Sequence, residues 1–233
     1  MEPVKSKFND YSGVNDKSVT VYCWSRTEVG SPLWEQAEAV GRMAAEAGFS
    51  VVTGGYCGSM EAVSKGAREH VDKVSGGGGE EAVDETNAPA ATSPAPQSSL
   101  PQVRGMLVPG LFPDRVTAGN KHLTHYKDTT SLSHRLDLLT SQSRYYIVLP
   151  GTLGTLTELA LIWSLSLLHH PEMPKPIIIC YRDPWERTIK HIAEDLSLPE
   201  SNTSLIQFVD NAEEAIAIIK ADDTARSQAA ASS

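Results

Sequence analysis

The stretch YYIVLPGTLGTLTELALIW, residues 145–163, decides the fold class. Tyr145 to Leu149 form an unbroken apolar run of strand length, as expected for a strand covered on both faces. Pro150 fixes the exit of that strand, and Gly151, Thr152, Gly154 and Thr155 precede an apolar segment of helical length. A buried strand that passes through a glycine-rich turn into a helix is the unit from which open α/β sheets are wound, and ligands of such sheets bind at the carboxyl ends of the strands.

The same alternation extends outward. SVTVYCW (Ser18 to Trp24) reads as a buried strand, and Ser31 then caps a helix with Pro32 at its first position. Trp34, Ala37, Val40, Ala44 and Ala47 share one face of that helix, Gly48 ends it, and FSVVT (Phe49 to Thr53) returns as a second strand. Strand, helix and strand in this order make a right-handed parallel unit. VRGMLVP (Val103 to Pro109), IIICY (Ile177 to Tyr181) and LIQFV (Leu205 to Val209) are further buried strands. The expected fold is α/β, a Rossmann-like parallel sheet with helices on both faces.

A chain of 233 residues, 40% hydrophobic and 21% charged, has material for one sizeable core. Residues 18–220 are read as a single domain between a flexible N-terminus (1–17) and a flexible tail (221–233). The stretch 75–102, rich in Gly, Pro, Ser, Ala and acid, is read as a disordered insertion. Capping boxes are expected at Asp183 with Glu186 and at Asp210 with Glu213. A net charge of -9 and the lack of a basic stripe argue against a nucleic-acid partner. No apolar run approaches the roughly 20 residues that span a bilayer, and the start resembles no secretory signal, so no membrane partner and a cytoplasmic location are expected. Cys23, Cys57 and Cys180 are widely spaced and fit reduced thiols rather than a zinc or redox pair. The adjacent His169 and His170 cannot point the same way on a helix, so no metal is expected.

Two glycine clusters are candidates for phosphate binding. In TGGYCGSMEA, Gly54, Gly55 and Gly58 lie where the second strand enters a helix, with Glu61 in its first turn. They either bring backbone N–H groups close to an anion at a helix N-terminus or simply make a tight turn. In PGTLGTLTE, Gly151 and Gly154 let the backbone approach a ligand, Thr152 and Thr155 supply donors, and Glu158 lies one turn further along the same helix. Glu158 beside a phosphate implies a task at another part of the ligand, such as the ribose or an attacking water. The helix after it is apolar nearly all round, which points to subunit association. Ser25, with Arg26, follows the first strand and either reaches phosphate or makes a plain turn.

The two clusters, in this order and spacing, resemble the Lonely Guy family, also known as lysine-decarboxylase-like, over roughly residues 18–200 apart from the insertion. The resemblance implies a homodimer that hydrolyses the N-glycosidic bond of an AMP-like nucleoside 5′-monophosphate, with no cofactor. Arg135, in SLSHRLDLL, matches the family's active-site arginine and Glu158 its signature glutamate, which makes these two the catalytic candidates. Leu132, Arg135, Leu136 and Leu139 share a helical face, so the guanidinium is directed inward and needs an anion. Ligand phosphate, Glu158 and Asp137 of an adjacent subunit are the alternatives. The chain departs from the pattern at Thr152, Leu136 and Tyr56, where the family has glycine, lysine and glycine. A related carrier of molybdenum cofactor, binding a pterin phosphate without turnover, is the second functional expectation. No lysine lies on a pyridoxal-phosphate motif, so decarboxylase chemistry is not expected.

Overall fold

A computed structural model of the chain describes residues 17–75, 83–84, 100–110, 119–168 and 175–231. β1 (Ser18–Tyr22), α1 (Pro32–Glu46), β2 (Ser50–Thr53) and α2 (Ser59–Ser75) follow one another in the first part of the chain. β3 (Val83–Asp84), β4 (Val103–Leu107), β5 (His125–Asp128), α3 (Leu132–Ser141), β6 (Tyr145–Val148) and α4 (Leu153–Leu167) come next. β7 (Ile177–Tyr181), α5 (Arg182–Asp195), α6 (Glu200–Thr203), β8 (Ile206–Val209) and α7 (Ala212–Ala231) complete the described chain.

The strands form one sheet in the order β3-β5-β4-β2-β1-β6-β7-β8, and every pairing is parallel. Strand residues alternate between two cores, as the pleat requires. Val19, Val21, Val51, Tyr145 and Ile147 pack with α1, α2 and α7 on one face. Tyr22, Val52, Tyr146, Val148 and Ile178 pack with α3, α4 and α5 on the other. The expected Rossmann-like α/β fold is therefore observed.

Local chemistry sets the element ends. Ser31 accepts a hydrogen bond from the Trp34 N–H at 3.3 Å, with Pro32 at the first position of α1, and Gly48, at φ +83°, turns the chain toward β2. The helices α1 and α2 then cross with their backbones in contact. A Cβ on Gly41 would lie 1.9 Å from the Val63 carbonyl oxygen, and one on Gly66 would lie 2.0 Å from that of Glu38. Small residues at both points allow this approach.

Several expectations need correction. β5, with the sequence HYKD, has no apolar run and is half-buried along its whole length, so its place in the sheet comes from pairing with β4. The Asp210–Glu213 capping box lies one residue later: Asn211 Oδ1 accepts from the Glu214 N–H, and Glu214 accepts from the Asp210 N–H. At Asp183 the extended backbone suits an N-cap, but the box does not form, because the Glu186 carboxylate accepts from Arg182. The segment read as a tail from residue 221 continues α7 to Ala231. Asp222 holds it down by accepting from Arg144 and from the Tyr145 hydroxyl, and Lys17 donates to Asp223. Most of the expected insertion and residues 1–16 lie outside the described residues, as do His169 and His170. Val83 and Asp84, inside the insertion, pair with β5.

Candidate functional site

From β1 the chain moves to β2 and β4 on one side, then returns to β6 on the other side of β1. The strand order therefore reverses beside β1, which opens a crevice at the carboxyl ends of β1 and β6. A cavity of about 290 Å³ occupies that place, near the lower end of the size range of small-molecule sites. Cys23, Trp24 and Ser25 reach it from the end of β1, Tyr56 from the β2–α2 turn, Met60 from the start of α2, and Leu132, Arg135 and Leu136 from α3. Thr152, Gly154, Thr155, Thr157 and Glu158 line it from the start of α4.

Arg135 and Glu158 meet at this cavity, and both are buried. Arg135 donates through Nε to the Met106 carbonyl at 2.8 Å and through Nη1 to Glu158 Oε1 at 3.4 Å. Its guanidinium carbon lies 5.8 Å from the centre of the Tyr56 ring. Of the alternative anions, Glu158 of the same chain is thus the partner seen, while Asp137 is exposed. Burial raises the Glu158 carboxyl to about 7, and Arg135 only partly offsets that rise. Burial thus works against full ionisation of Glu158 even beside Arg135. The Cys23 thiol is pushed well up, first by burial and then by Glu158, with Arg135 opposing, so it is held as a thiol rather than a thiolate.

The displaced titration has a sign that can be tested. Burial favours the neutral carboxyl, so the folded chain binds this proton more tightly than the unfolded chain does. The stabilisation is complete below the ordinary value of 4.5 and is lost as pH rises toward about 7. It amounts to at most about 3 kcal/mol. In urea unfolding at a series of pH values, Glu158→Gln should remove this decline, and an unchanged decline in the variant would assign it to another group.

The two glycine clusters differ in what they leave open. At the start of α2 the Ser59 N–H donates to the Trp24 carbonyl at 2.8 Å, and the Ser59 and Thr27 hydroxyls lie 2.6 Å apart. Gly54, Gly55 and Gly58 are buried and do not line the cavity. A Cβ on Gly54 would lie 1.8 Å from Arg135 Nη2, one on Gly55 would lie 2.6 Å from the Leu107 side chain, and one on Gly58 would lie 2.5 Å from the Ser25 backbone. Their glycine requirement comes from packing within the protein, strengthened at Gly55 and Gly58 by positive φ. Glu61 is also outside the cavity lining and lies 3.9 Å from His122.

At the start of α4, Thr152 occupies the N-cap without a side-chain hydrogen bond, and the first intrahelical bond runs from the Leu156 N–H to the Thr152 carbonyl. The preceding amides, of Leu153, Gly154 and Thr155, are the donors that a helix start offers to an anion. Gly151 makes room for Thr155, whose Oγ1 would be 2.2 Å from a Cβ there, while Gly154 borders open space. Of the expected site residues, the cavity thus collects Ser25, Arg135, Thr152, Gly154, Thr155 and Glu158. Cys23, Trp24, Met60, Leu132 and Thr157 also line it without having been assigned to the site from the sequence, although the rule that singled out Ser25 applies equally to its neighbour Trp24. Tyr56 lines the cavity with its hydroxyl held by Val108, accepting from the N–H at 2.8 Å and donating to the carbonyl.

Among the described residues, no group of His, Cys, Asp and Glu is arranged to hold a metal ion, and no helix is long and apolar enough to cross a membrane. Solved structures share this architecture, among them the following three. The structural-genomics target TM1055 has 22% identity and a TM-score of 0.59 over 88% of this chain and 98% of its own. The molybdenum cofactor binding protein from the phototrophic bacterium Rippkaea orientalis has 20% identity and a TM-score of 0.57, covering 88% of this chain and 96% of its own. The Moco carrier protein of Chlamydomonas rheinhardtii has 18% identity and a TM-score of 0.56 over the same shares, 88% and 96%. Identities this low establish a shared fold. No curated protein matches the sequence. The SLOG cluster4 family matches residues 17–79, and the family described as possible lysine decarboxylase matches residues 60–219. The chain accordingly belongs to the lysine-decarboxylase-like, or Lonely Guy, family.

Proposed function

We propose that the chain binds an AMP-like nucleoside 5′-monophosphate and hydrolyses its N-glycosidic bond, releasing the base and ribose 5-phosphate. The observation that carries this reading is the buried Glu158–Arg135 pair, lining the same cavity as an uncapped helix start, with the carboxyl raised to about 7. Phosphate fits the amides and hydroxyls of Thr152, Gly154 and Thr155, where the helix dipole favours negative charge. Ser25 borders the same space.

As the bond from C1′ to the base nitrogen breaks, its electron pair leaves with the base and C1′ becomes cationic. Ionised Glu158 stabilises that cation and takes one proton from the water whose oxygen bonds to C1′; the other hydrogen stays on the new hydroxyl. The departing base takes up one proton, in net the one that Glu158 removed from the water, so the carboxylate is regenerated; Arg135 positions that carboxylate. A carboxyl that titrates near neutrality is suited to both accepting and returning a proton. The test is base release from AMP followed by chromatography, with the Glu158→Gln variant beside the wild type.

A second reading is a non-catalytic carrier of a nucleotide or a pterin phosphate. Leu136 and Thr152 favour it, since both line the cavity at positions where the family pattern has lysine and glycine. The descriptions of two structural neighbours point the same way. Binding of AMP or a pterin phosphate with no base released would select it.

The reading includes a homodimer. Leu132 at the start of α3, Leu153 at 76% exposure at the start of α4, and Leu167 and Leu168 (78%) at the end of α4 are exposed apolar side chains. A second copy of the chain is the partner we infer covers them. Leu168→Lys should shift the sedimentation coefficient toward the monomer; wild-type protein that already sediments as a monomer would exclude the dimer.

A further inference from the structure

Trp24 differs from the other tryptophans of the chain. Trp34, Trp163 and Trp185 are buried, whereas Trp24 is 36% exposed at the cavity. Its backbone is nonetheless fixed, because its carbonyl accepts the Ser59 N–H at 2.8 Å. Gly58 lies so close behind that a Cβ there would be 2.7 Å from the same carbonyl. A rigid main chain thus presents an indole with free surface to a cavity that Leu132 and Leu136 also wall. Tyr56, the other aromatic group of the cavity, is held at its hydroxyl by Val108 and has Arg135 against its ring.

A planar apolar face on a fixed backbone is a stacking surface, and heterocyclic bases stack on such faces whatever their hydrogen-bonding pattern. The helix start supplies donors for phosphate but nothing that distinguishes a nucleotide from a bare sugar phosphate. We propose that Trp24 stacks on the heterocyclic base of the ligand and sets the preference of the site for ring-bearing nucleotides over ribose 5-phosphate. The proposal rests on the nucleotide reading above and adds to it the residue that recognises the ring.

All four tryptophans emit, so an emission change that the wild type shows and Trp24→Phe lacks is the one that belongs to Trp24. AMP and ribose 5-phosphate are titrated into the wild type, Trp24→Phe and Trp24→Ala, with binding measured by calorimetry and emission recorded in parallel. Expected are an AMP-dependent change of emission in the wild type, AMP binding about 10- to 100-fold weaker in Trp24→Ala but nearly retained in Trp24→Phe, and ribose 5-phosphate binding the same in all three. AMP binding that is equal in wild type and Trp24→Ala, with no change of emission, would overturn the stacking role and leave the nucleotide reading intact. Emission that changes on dilution but not with AMP would assign Trp24 to a subunit contact and overturn it as well. Failure of the wild type to bind either compound would sink both readings.

Discussion

Glu158→Gln is expected to lower the rate of base release from AMP by about 10²- to 10⁴-fold while the fold survives. The amide has nearly the shape of the carboxyl and keeps an oxygen for Arg135 Nη1, so the contact now 3.4 Å long need not be lost. What it cannot do is carry negative charge toward a cationic C1′ or take a proton from water. The loss should therefore appear in kcat, with KM little changed, because phosphate is held by the start of α4. Rates from chromatographic time courses, with far-ultraviolet circular dichroism as the check on folding, are sufficient. A variant that retains more than about a tenth of the wild-type rate would remove Glu158 from the proton chemistry.

Gly41→Ala and Gly66→Ala should have the largest effects on stability, and Gly66 shows why. Alanine is favoured over glycine within a helix by about 1 kcal/mol, which by itself predicts a gain. Against that gain stands a methyl group 2.0 Å from the Glu38 carbonyl oxygen and 2.9 Å from its carbon. Those atoms belong to a helix backbone and have no rotamer to change, so α1 and α2 must move apart. Overpacking of this kind costs about 1–3 kcal/mol or more, and separating the helices also loosens Trp34, Ala37, Ala62 and Val63 in the core beneath them. We expect a net loss of roughly 2 kcal/mol in urea unfolding. Gly154→Ala is the matched control, since this glycine lies in α4 and a Cβ there meets open space, and it should lose no stability and gain up to about 1 kcal/mol.

Much of the fold is legible because its signals are local. The apolar runs at Val19, Val51, Tyr145 and Ile178, together with the Ser31 cap, state their structure within a few residues. β5 is not legible, since the sequence HYKD becomes a strand only because β4 lies beside it. The extension of α7 is hidden for a similar reason: DTARSQAAASS reads as solvated, and Arg144 and Tyr145, which hold Asp222, are far away in sequence. The pairing of Arg135 with Glu158 could be anticipated from an inward arginine and a carboxylate that follows a glycine turn. The burial of the first glycine cluster could not, since Gly54 is glycine on account of Arg135 and Gly58 on account of the Ser25 backbone. A glycine in a sequence announces that something comes close, without saying whether it is ligand or protein.

The position of β1 bears on how the chain is made. It pairs with β2 after a short excursion, with Ser18 opposite Ser50, but its other edge waits for β6, with Val19 opposite Tyr145. During synthesis, everything through α3 leaves the ribosome before that edge can be covered. A growing chain of this length exposes the central strand of its own sheet, an open template for pairing with neighbouring chains. Chains truncated before residue 145 should therefore accumulate as aggregates rather than as a smaller folded unit, and the yield of native protein depends on the second half of the sheet arriving in time.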